Sequence, residues 1–356
     1  MNRNSMHNQP IRRYRRQKGY DSARRITVLM MAGIILLGVV VFVMSLTGTG
    51  LFADRDPSDG NELPVGSEGS GDLSGEESSS EPDESTPELI IPDEDVEYEY
   101  LNLTPEDIKK GDLLLIDATH PYTFPSVQMA YIAEYKSSSY KIGGTRISLQ
   151  LKVIHEINKM MDAFEAATGM KDAIIQPGNA YRSFDDQKKL YDKNPTSAAV
   201  PGSSDYHTGA SFLFQIYNEV GISPMSSRSE SIWLKENAHD YGFTFRFPAD
   251  KKHITGYSVP WQMRYVGISH ATYMYDKFLC LEEYLAFLSE KHKYAGEHLF
   301  VECGDGYIYE VFYVEGATEG VIQVPVPKNR EYTVSGDNQK GFVVSFKLCA
   351  STKTAE

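Results

Sequence analysis

Apolar residues recur at Leu151, Ile154, Ile157, Met161 and Phe164 with polar residues between them, the spacing of one buried face of a helix. Ser148 can cap the start of that helix and Gly169 can end it. The run 173–176 reads as a short buried strand, and the loop after it presents Tyr181 and Arg182. A second helix is predicted over 184–193, a strand over 210–217, and a helix capped by Ser229 and stopped at Gly242. FTFRFP and the segment around Trp261 supply further extended pieces, and FLCLEEYL returns to helical spacing with Cys280 on a buried helical position. Beyond about residue 291 the pattern changes to short strand-like runs, HLFVEC, YIYEVFYVEG, IQVPVP and GFVVSFKL, divided by Gly-, Pro- and Asn-rich turns. The fold class expected is α+β, with helices around a small antiparallel sheet and a β-rich extension over 291–356. That extension is either a separate module or extra strands on the core.

The N-terminal quarter follows a different pattern. Residues 1–25 carry eight Arg or Lys against one Asp, and the 21 residues 26–46 carry no charge at all. At a rise of about 1.5 Å per residue the uncharged run reaches roughly 31 Å, enough to cross a bilayer core. The basic flank keeps the N-terminus cytoplasmic, so the expectation is a single-pass membrane protein with everything beyond Leu46 outside the cell. A cleavable signal peptide is the alternative, but its apolar core is usually about 7–15 residues and ends in a small-residue cleavage motif. Topology accounts for the Arg cluster, and no nucleic-acid partner is expected. Residues 47–99 are rich in Ser, Gly and Pro, and 54–99 hold 17 Asp or Glu with one Arg. Such a stretch cannot bury enough apolar surface to offset its ordering entropy, so a disordered tether is expected. Most of the net charge of −14 belongs to that tether and says little about a substrate.

Cys280, Cys303 and Cys349 fit neither a disulfide scaffold nor a Cys-based metal site. Cys303 and Cys349 either pair or pack as thiols.

The stretch 255–271, TGYSVPWQMRYVGISHA, resembles the VanY-type D-alanyl-D-alanine carboxypeptidases. In that family the run looks like TGY-x-x-EPWH-x-RYVG-x-x-HA, with Glu as general acid/base and the His after Trp as a zinc ligand. Trp261, Arg264, Tyr265, Val266, Gly267, His270 and Ala271 match, while Val259 stands for the Glu and Gln262 for the His. The family's PG-x-SEH-x-TG-x-x-x-D is similar to PGSSDYHTGASFL here. Aligned on Pro201, Gly202, Ser204, Thr208 and Gly209, it puts Tyr206 at the first His ligand and Leu213 at the Asp ligand. A third run, YRS-x-x-x-Q-x-x-LY, is intact as Tyr181, Arg182, Ser183, Gln187, Leu190 and Tyr191. The likeness covers about 111–288, and the domain is bounded at 100–290.

A catalytic zinc needs three protein ligands and an open position for water, plus a carboxylate to take and return a proton. Leu213 and Val259 have no lone pair, Gln262 offers a neutral amide, and Tyr206 a phenol with an ordinary pKa of about 10. Losing the base alone typically costs roughly 10²–10⁴ in rate. The resemblance therefore implies a degenerate member without catalytic residues, without a metal and with no cofactor. The fallback metal ligand is His207, one residue late, which an extended segment would aim to the opposite face. The resemblance also places Arg182, Ser183 and Gln187, with Tyr181 and Ser204, on the substrate side. An Arg fork there suits a terminal carboxylate. Three readings stay open: a pseudoenzyme binding peptidoglycan stem peptides or a cell-wall partner, an active D,D-carboxypeptidase with an altered zinc site, and a structural interaction module of the envelope.

Overall fold

The computed structural model describes residues 95–351. The expected basic tail and membrane span, and the tether up to residue 94, lie outside these residues. Among the described residues no helix is long and apolar enough to cross a membrane.

The central sheet is built around the long strand β6. In chain order β1 is Tyr98–Leu103, β2 Met129–Tyr131, β3 Lys141–Ile142, β4 Ser148–Gln150, β5 Ala173–Ile175, β6 Ser211–Asn218, β7 Gly221–Pro224, β8 Phe243–Phe247 and β9 Val259–Tyr265. The sheet runs β3-β5-β6-β9-β8 with β7 paired beside β6, and all pairs are antiparallel except β3 with β5. The first half of β6 pairs β9 and the second half pairs β5 and β7.

Helix α1, Leu151–Thr168, lies against this sheet because its apolar stripe has nowhere else to be dry: Val153, Ile154, Ile157, Met160, Met161 and Phe164 are fully buried. Each such side chain contributes about 1.5–3 kcal/mol relative to exposure. Gly169 ends the helix in the left-handed region at φ 73°. The start differs from expectation. Ser148 pairs with Tyr131 in β4 and Gln150 is the N-cap, because the Gln150 amide reaches Thr208 O at 2.7 Å and tertiary contact overrides local capping preference.

Helix α2, Phe184–Lys193, has the bounds its pattern predicts. Helix α3, Ser231–Asn237, starts two residues past the expected cap Ser229 and gives way to a 3-10 turn over Ala238–Tyr241. Helices α4, Ile268–Asp276, and α5, Leu281–Lys291, follow, and Cys280 is the N-cap of α5 rather than an interior position. The Cys280 and Cys303 thiols are buried and pushed up to about 12 by desolvation, which keeps them protonated and unreactive.

Strands β10 Leu299–Glu302, β11 Tyr307–Glu315, β12 Ile322–Pro327, β13 Tyr332–Gly336 and β14 Gly341–Ala350 complete the chain. They form a four-stranded sheet, β10-β11-β14-β13, and a β1-β12 ribbon. The expected boundary at Glu99 lies inside the fold: Tyr98 and Glu99 pair with Pro327 and Val326, and the Tyr98 ring packs on Phe312 and Phe346. The extension shares a core with the earlier helices, in which Val301, Val311, Tyr313 and Val343 pack with Leu113, Val266, Met274, Tyr284 and Leu285. It also grips the segment leading toward the site: Leu113 N–H donates to Ser335 Oγ, Leu115 N–H to Asp337 O, and Asn338 Nδ2 to Leu115 O and His120 O.

Candidate functional site

The alternation of β6 and β9 separates two faces. Phe212 and Met263 are cross-strand partners and both lie in the core under α1, with Phe214 and Phe243. The residues between them point the other way, so Ser211 opposite Arg264, and Leu213 opposite Gln262, share the second face. At the far end of β9 the register steps from Phe245/Met263 to Phe247/Val259, a bulge that takes up Pro260, Trp261 and Gln262. Bulges re-aim side chains, and Pro is tolerated there because the ladder is already interrupted.

A 3-10 turn, Asp205–Thr208, delivers the chain onto this face. Gly209 closes it at φ 65°, and a Cβ there would meet Met129 Sδ at 2.8 Å. Asp205 is fully buried and anchors the whole face. Its Oδ1 accepts from Arg264 Nη1 at 2.8 Å and Arg246 Nε at 3.2 Å, and its Oδ2 accepts from Ser211 Oγ. Arg246 in turn donates both terminal nitrogens to Glu282 on α5, at 2.9 and 2.8 Å, and Arg264 donates to Asp112 O and Tyr265 O. Burial pushes the Asp205 carboxyl up, but Arg264, Arg246 and the Ser211 hydroxyl outweigh it and hold it below the usual range. The sequence pattern does not identify this network. Its only trace is a single charged residue within each of two largely apolar strands, Arg246 in FTFRFP and Arg264 in QMRY.

Of the four degenerate positions, Leu213 and Gln262 stand directly opposite one another. Val259 lies three residues along β9 beyond the bulge, and Tyr206 sits in the 3-10 turn, its carbonyl accepting from Arg182 N–H at 3.4 Å. The Tyr206 ring lies under the Arg182 guanidinium at 4.7 Å. Burial, with Asp205 adding to it and Arg182 opposing, raises the Tyr206 phenol above its ordinary pKa, so it is a neutral hydroxyl. These donors do not fit zinc: two side chains have no lone pair, one is a protonated phenol and one a neutral amide. Among the described residues no group of three or more His, Cys, Asp or Glu is placed to hold a metal.

His207 does not replace the missing ligand. The turn is 3-10 rather than extended, so His207 and Tyr206 do not alternate faces as in a strand, yet the ring is committed elsewhere. Nδ1–H donates to Arg182 O at 2.6 Å and Nε2 accepts from Gly202 N–H at 3.1 Å, which uses both nitrogens and fixes the neutral tautomer. Burial lowers its pKa, keeping it neutral. His270 is likewise spent on Tyr284 OH at 2.7 Å, its pKa brought to about 3 by burial.

The YRS run divides into support and surface. Ser183 caps α2, accepting from Asp186 N–H and donating to the Asp186 carboxylate. Gln187 is fully buried, its Oε1 accepting from Arg182 Nη1 at 2.6 Å and its Nε2 donating to Ala199 O at 2.6 Å. Capping and packing thus occupy the Ser183 hydroxyl and the Gln187 amide, which the resemblance had placed on the substrate side. Ser204 is buried ahead of the 3-10 turn and Tyr181 is half-buried. Arg182 is the member with capacity left. It is half-buried, bonded to two neutral acceptors, Gln187 and Gly178 O, and makes no ion pair among the described residues.

An α+β core with this two-faced antiparallel sheet defines a D,D-peptidase-like fold. Residues 146–268 match the family described as VanY, D-alanyl-D-alanine carboxypeptidase. A D-alanyl-D-alanine carboxypeptidase of Enterococcus faecium is 32% identical over 252 residues, 68% of this chain and 77% of the relative. The putative carboxypeptidase YodJ of Bacillus subtilis is 30% identical over 209 residues, 53% of this chain and 75% of its own length. Among solved structures, the vancomycin-resistance D,D-dipeptidase VanXYg in complex with a D-Ala-D-Ala phosphinate analogue superposes with a TM-score of 0.62 at 25% identity, covering 71% of this chain and all of that one. The chain belongs to the VanY family of D-alanyl-D-alanine carboxypeptidases.

Proposed function

We propose that this protein is a zinc-free pseudoenzyme of peptidoglycan metabolism, anchored outside the cell by one membrane span, that binds stem peptides ending in D-Ala-D-Ala without cleaving them. The observation that carries this reading is the contrast within one site. The positions that would hold and use a metal are Tyr206, Leu213, Val259 and Gln262, while Arg182 keeps a half-buried guanidinium that makes no ion pair among the described residues. A carboxylate is the natural partner for such a fork, through charge-assisted hydrogen bonds. Tyr206, Leu213, Val259 and Gln262 offer neither a ligand set that would activate water nor a carboxylate to carry a proton to the leaving amine, which argues against cleavage.

The expected result in calorimetry is micromolar to millimolar binding of a peptide ending in D-Ala-D-Ala, weakened about tenfold or more by Arg182→Ala, the loss of one charged hydrogen-bonding group. Arg182→Lys is expected to recover part of the loss, since it restores charge without the fork. Wild-type protein that binds no such peptide even at millimolar concentration would favour the structural-module reading.

A further inference from the structure

Glu310 on β11 is buried, and one of its oxygens gathers two partners from distant parts of the chain. The Tyr98 hydroxyl of β1 donates to Oε1 at 2.9 Å, and His298, just ahead of β10, places Nδ1 2.5 Å from the same oxygen. The other ring nitrogen, Nε2, lies 2.9 Å from Tyr294 O. A carboxylate and a carbonyl only accept, so satisfying both contacts takes a proton on each nitrogen, an imidazolium held between them. Stacking against Tyr294 at 5.7 Å and Phe312 at 4.6 Å holds the ring in this orientation. Burial pushes the ring's pKa down, but its bonds to Glu310 and Tyr294 O and the Glu310 charge outweigh that and raise it above the ordinary value.

Strand β1 pairs with β12 alone, and none of its six residues is fully buried. A two-stranded ribbon by itself is marginal in water, so side-chain anchors decide whether β1 stays down. At its start the Tyr98 ring sits edge-on to Tyr294, Phe312 and Phe346, and its hydroxyl ends on Glu310. Burial and Glu310 raise the Tyr98 phenol, so it stays a donor throughout. The remaining titratable or charged neighbours are the Tyr294 and Tyr100 phenols, which adjoin, and Arg330, whose charge acts on Tyr98.

We propose that His298 and Glu310 form a proton-dependent latch that fastens β1 to the C-terminal sheet, closed while the ring carries both protons and loosened when one leaves. The step is the loss of one proton to solvent, with no covalent bond changed. A neutral ring satisfies only one of its two acceptors, and a lone pair then faces either the carboxylate or the carbonyl. The buried carboxylate also loses its counter-charge, and opening to water at the β1 edge relieves it. Because the folded ring holds its proton more tightly than an unfolded one, the stability the latch confers is complete below about pH 6.5 and is lost as pH rises through the folded value. Residues 1–94 join the fold through β1, so in a chain anchored as proposed above, release of its six residues adds up to about 20 Å to the reach of the domain.

The test is hydrogen exchange of the full-length chain, read by mass spectrometry on peptides covering β1 and α1 from about pH 6 to about pH 9 and corrected for the intrinsic amide rate. Wild-type β1 is expected to lose protection about tenfold or more, in a step above the free imidazole value of about 6.5, while α1 keeps its protection. Tyr98→Phe, which removes only the hydroxyl, is expected to weaken β1 protection already at the acid end and to flatten the step. His298→Gln is expected to abolish the step. A flat wild-type profile for β1 would overturn the proposal. So would a step that survives in His298→Gln, which would belong to another group, or one unchanged in Tyr98→Phe, which would show that Glu310 does not hold β1. Protection of α1 in the same digest reports folding, and the wild-type and Tyr98→Phe profiles decide the matter even where His298→Gln does not fold. None of these outcomes depends on zinc or peptide binding.

Discussion

Asp205→Asn is expected to lower the melting temperature by about 10 °C, the largest effect of any single substitution at this site. The change removes one charge and leaves the shape. Arg264 and Arg246 are both fully buried, and Asp205 accepts from both. Glu282 would still neutralise Arg246, but Arg264 would be left with backbone carbonyls alone. Removing one partner of a buried ionic group typically costs about 3–5 kcal/mol, and each kcal/mol moves the midpoint of a domain of this size by about 2–4 °C. The same carboxylate sets an acid limit. Its pKa is lower in the folded protein than in the unfolded chain, so the stability it confers is complete above the unfolded value of about 3.9 and is lost as pH falls through the folded value. Thermal melts of wild type and variant are therefore expected to differ most at neutral pH and to converge in acid. A variant that melts within about 2 °C of wild type at pH 7 would show that the network is dispensable.

The second large effect is a gain. Tyr206→His, Leu213→Asp and Gln262→His together are expected to give a chain that holds about one zinc ion per molecule. The geometry favours this because residues 213 and 262 are direct cross-strand partners on one face, with β-carbons about 4.5–5.5 Å apart, close enough for both new side chains to reach one ion. Tyr206 approaches from the turn that enters the same face. Adding Val259→Glu supplies the proton carrier, and release of D-Ala is expected only in that fourfold variant, or at least about a hundredfold more slowly without it. A folded triple variant that takes up no zinc in metal analysis would show that residues 206, 213 and 262 do not converge on one point.

The elements with strong periodicity were legible from sequence. The apolar stripe of α1, the bounds of α2 and the strand character of β6 follow from local pattern, since residue type and spacing within each run already set them. Where long-range partners decide, local signals mislead. Ser148 looks like a cap but pairs in β4, and Gln150 bonds the Thr208 carbonyl from the helix start. In the site, the motif frame located Tyr206, Leu213, Val259 and Gln262, and register placed two of them face to face. It could not separate recognition from support within YRS-x-x-x-Q, because Gln187 and Arg182 look equally polar in sequence and only burial shows that Gln187 is spent. The Asp205 network stayed hidden for the same reason: Asp205, Arg246, Arg264 and Glu282 lie far apart in the chain, and only the folded sheet and α5 bring them together.

We propose that this VanY-family domain has exchanged a metal site for a peptide-binding surface that includes Arg182. The most direct measurement is metal content and activity on the same preparation: full-length protein purified without chelator, assayed for zinc by mass spectrometry and for D-Ala release from a pentapeptide ending in D-Ala-D-Ala. The account predicts zinc far below one ion per chain and no release above the blank, with or without added zinc. Stoichiometric zinc together with D-Ala release that a chelator abolishes would contradict it.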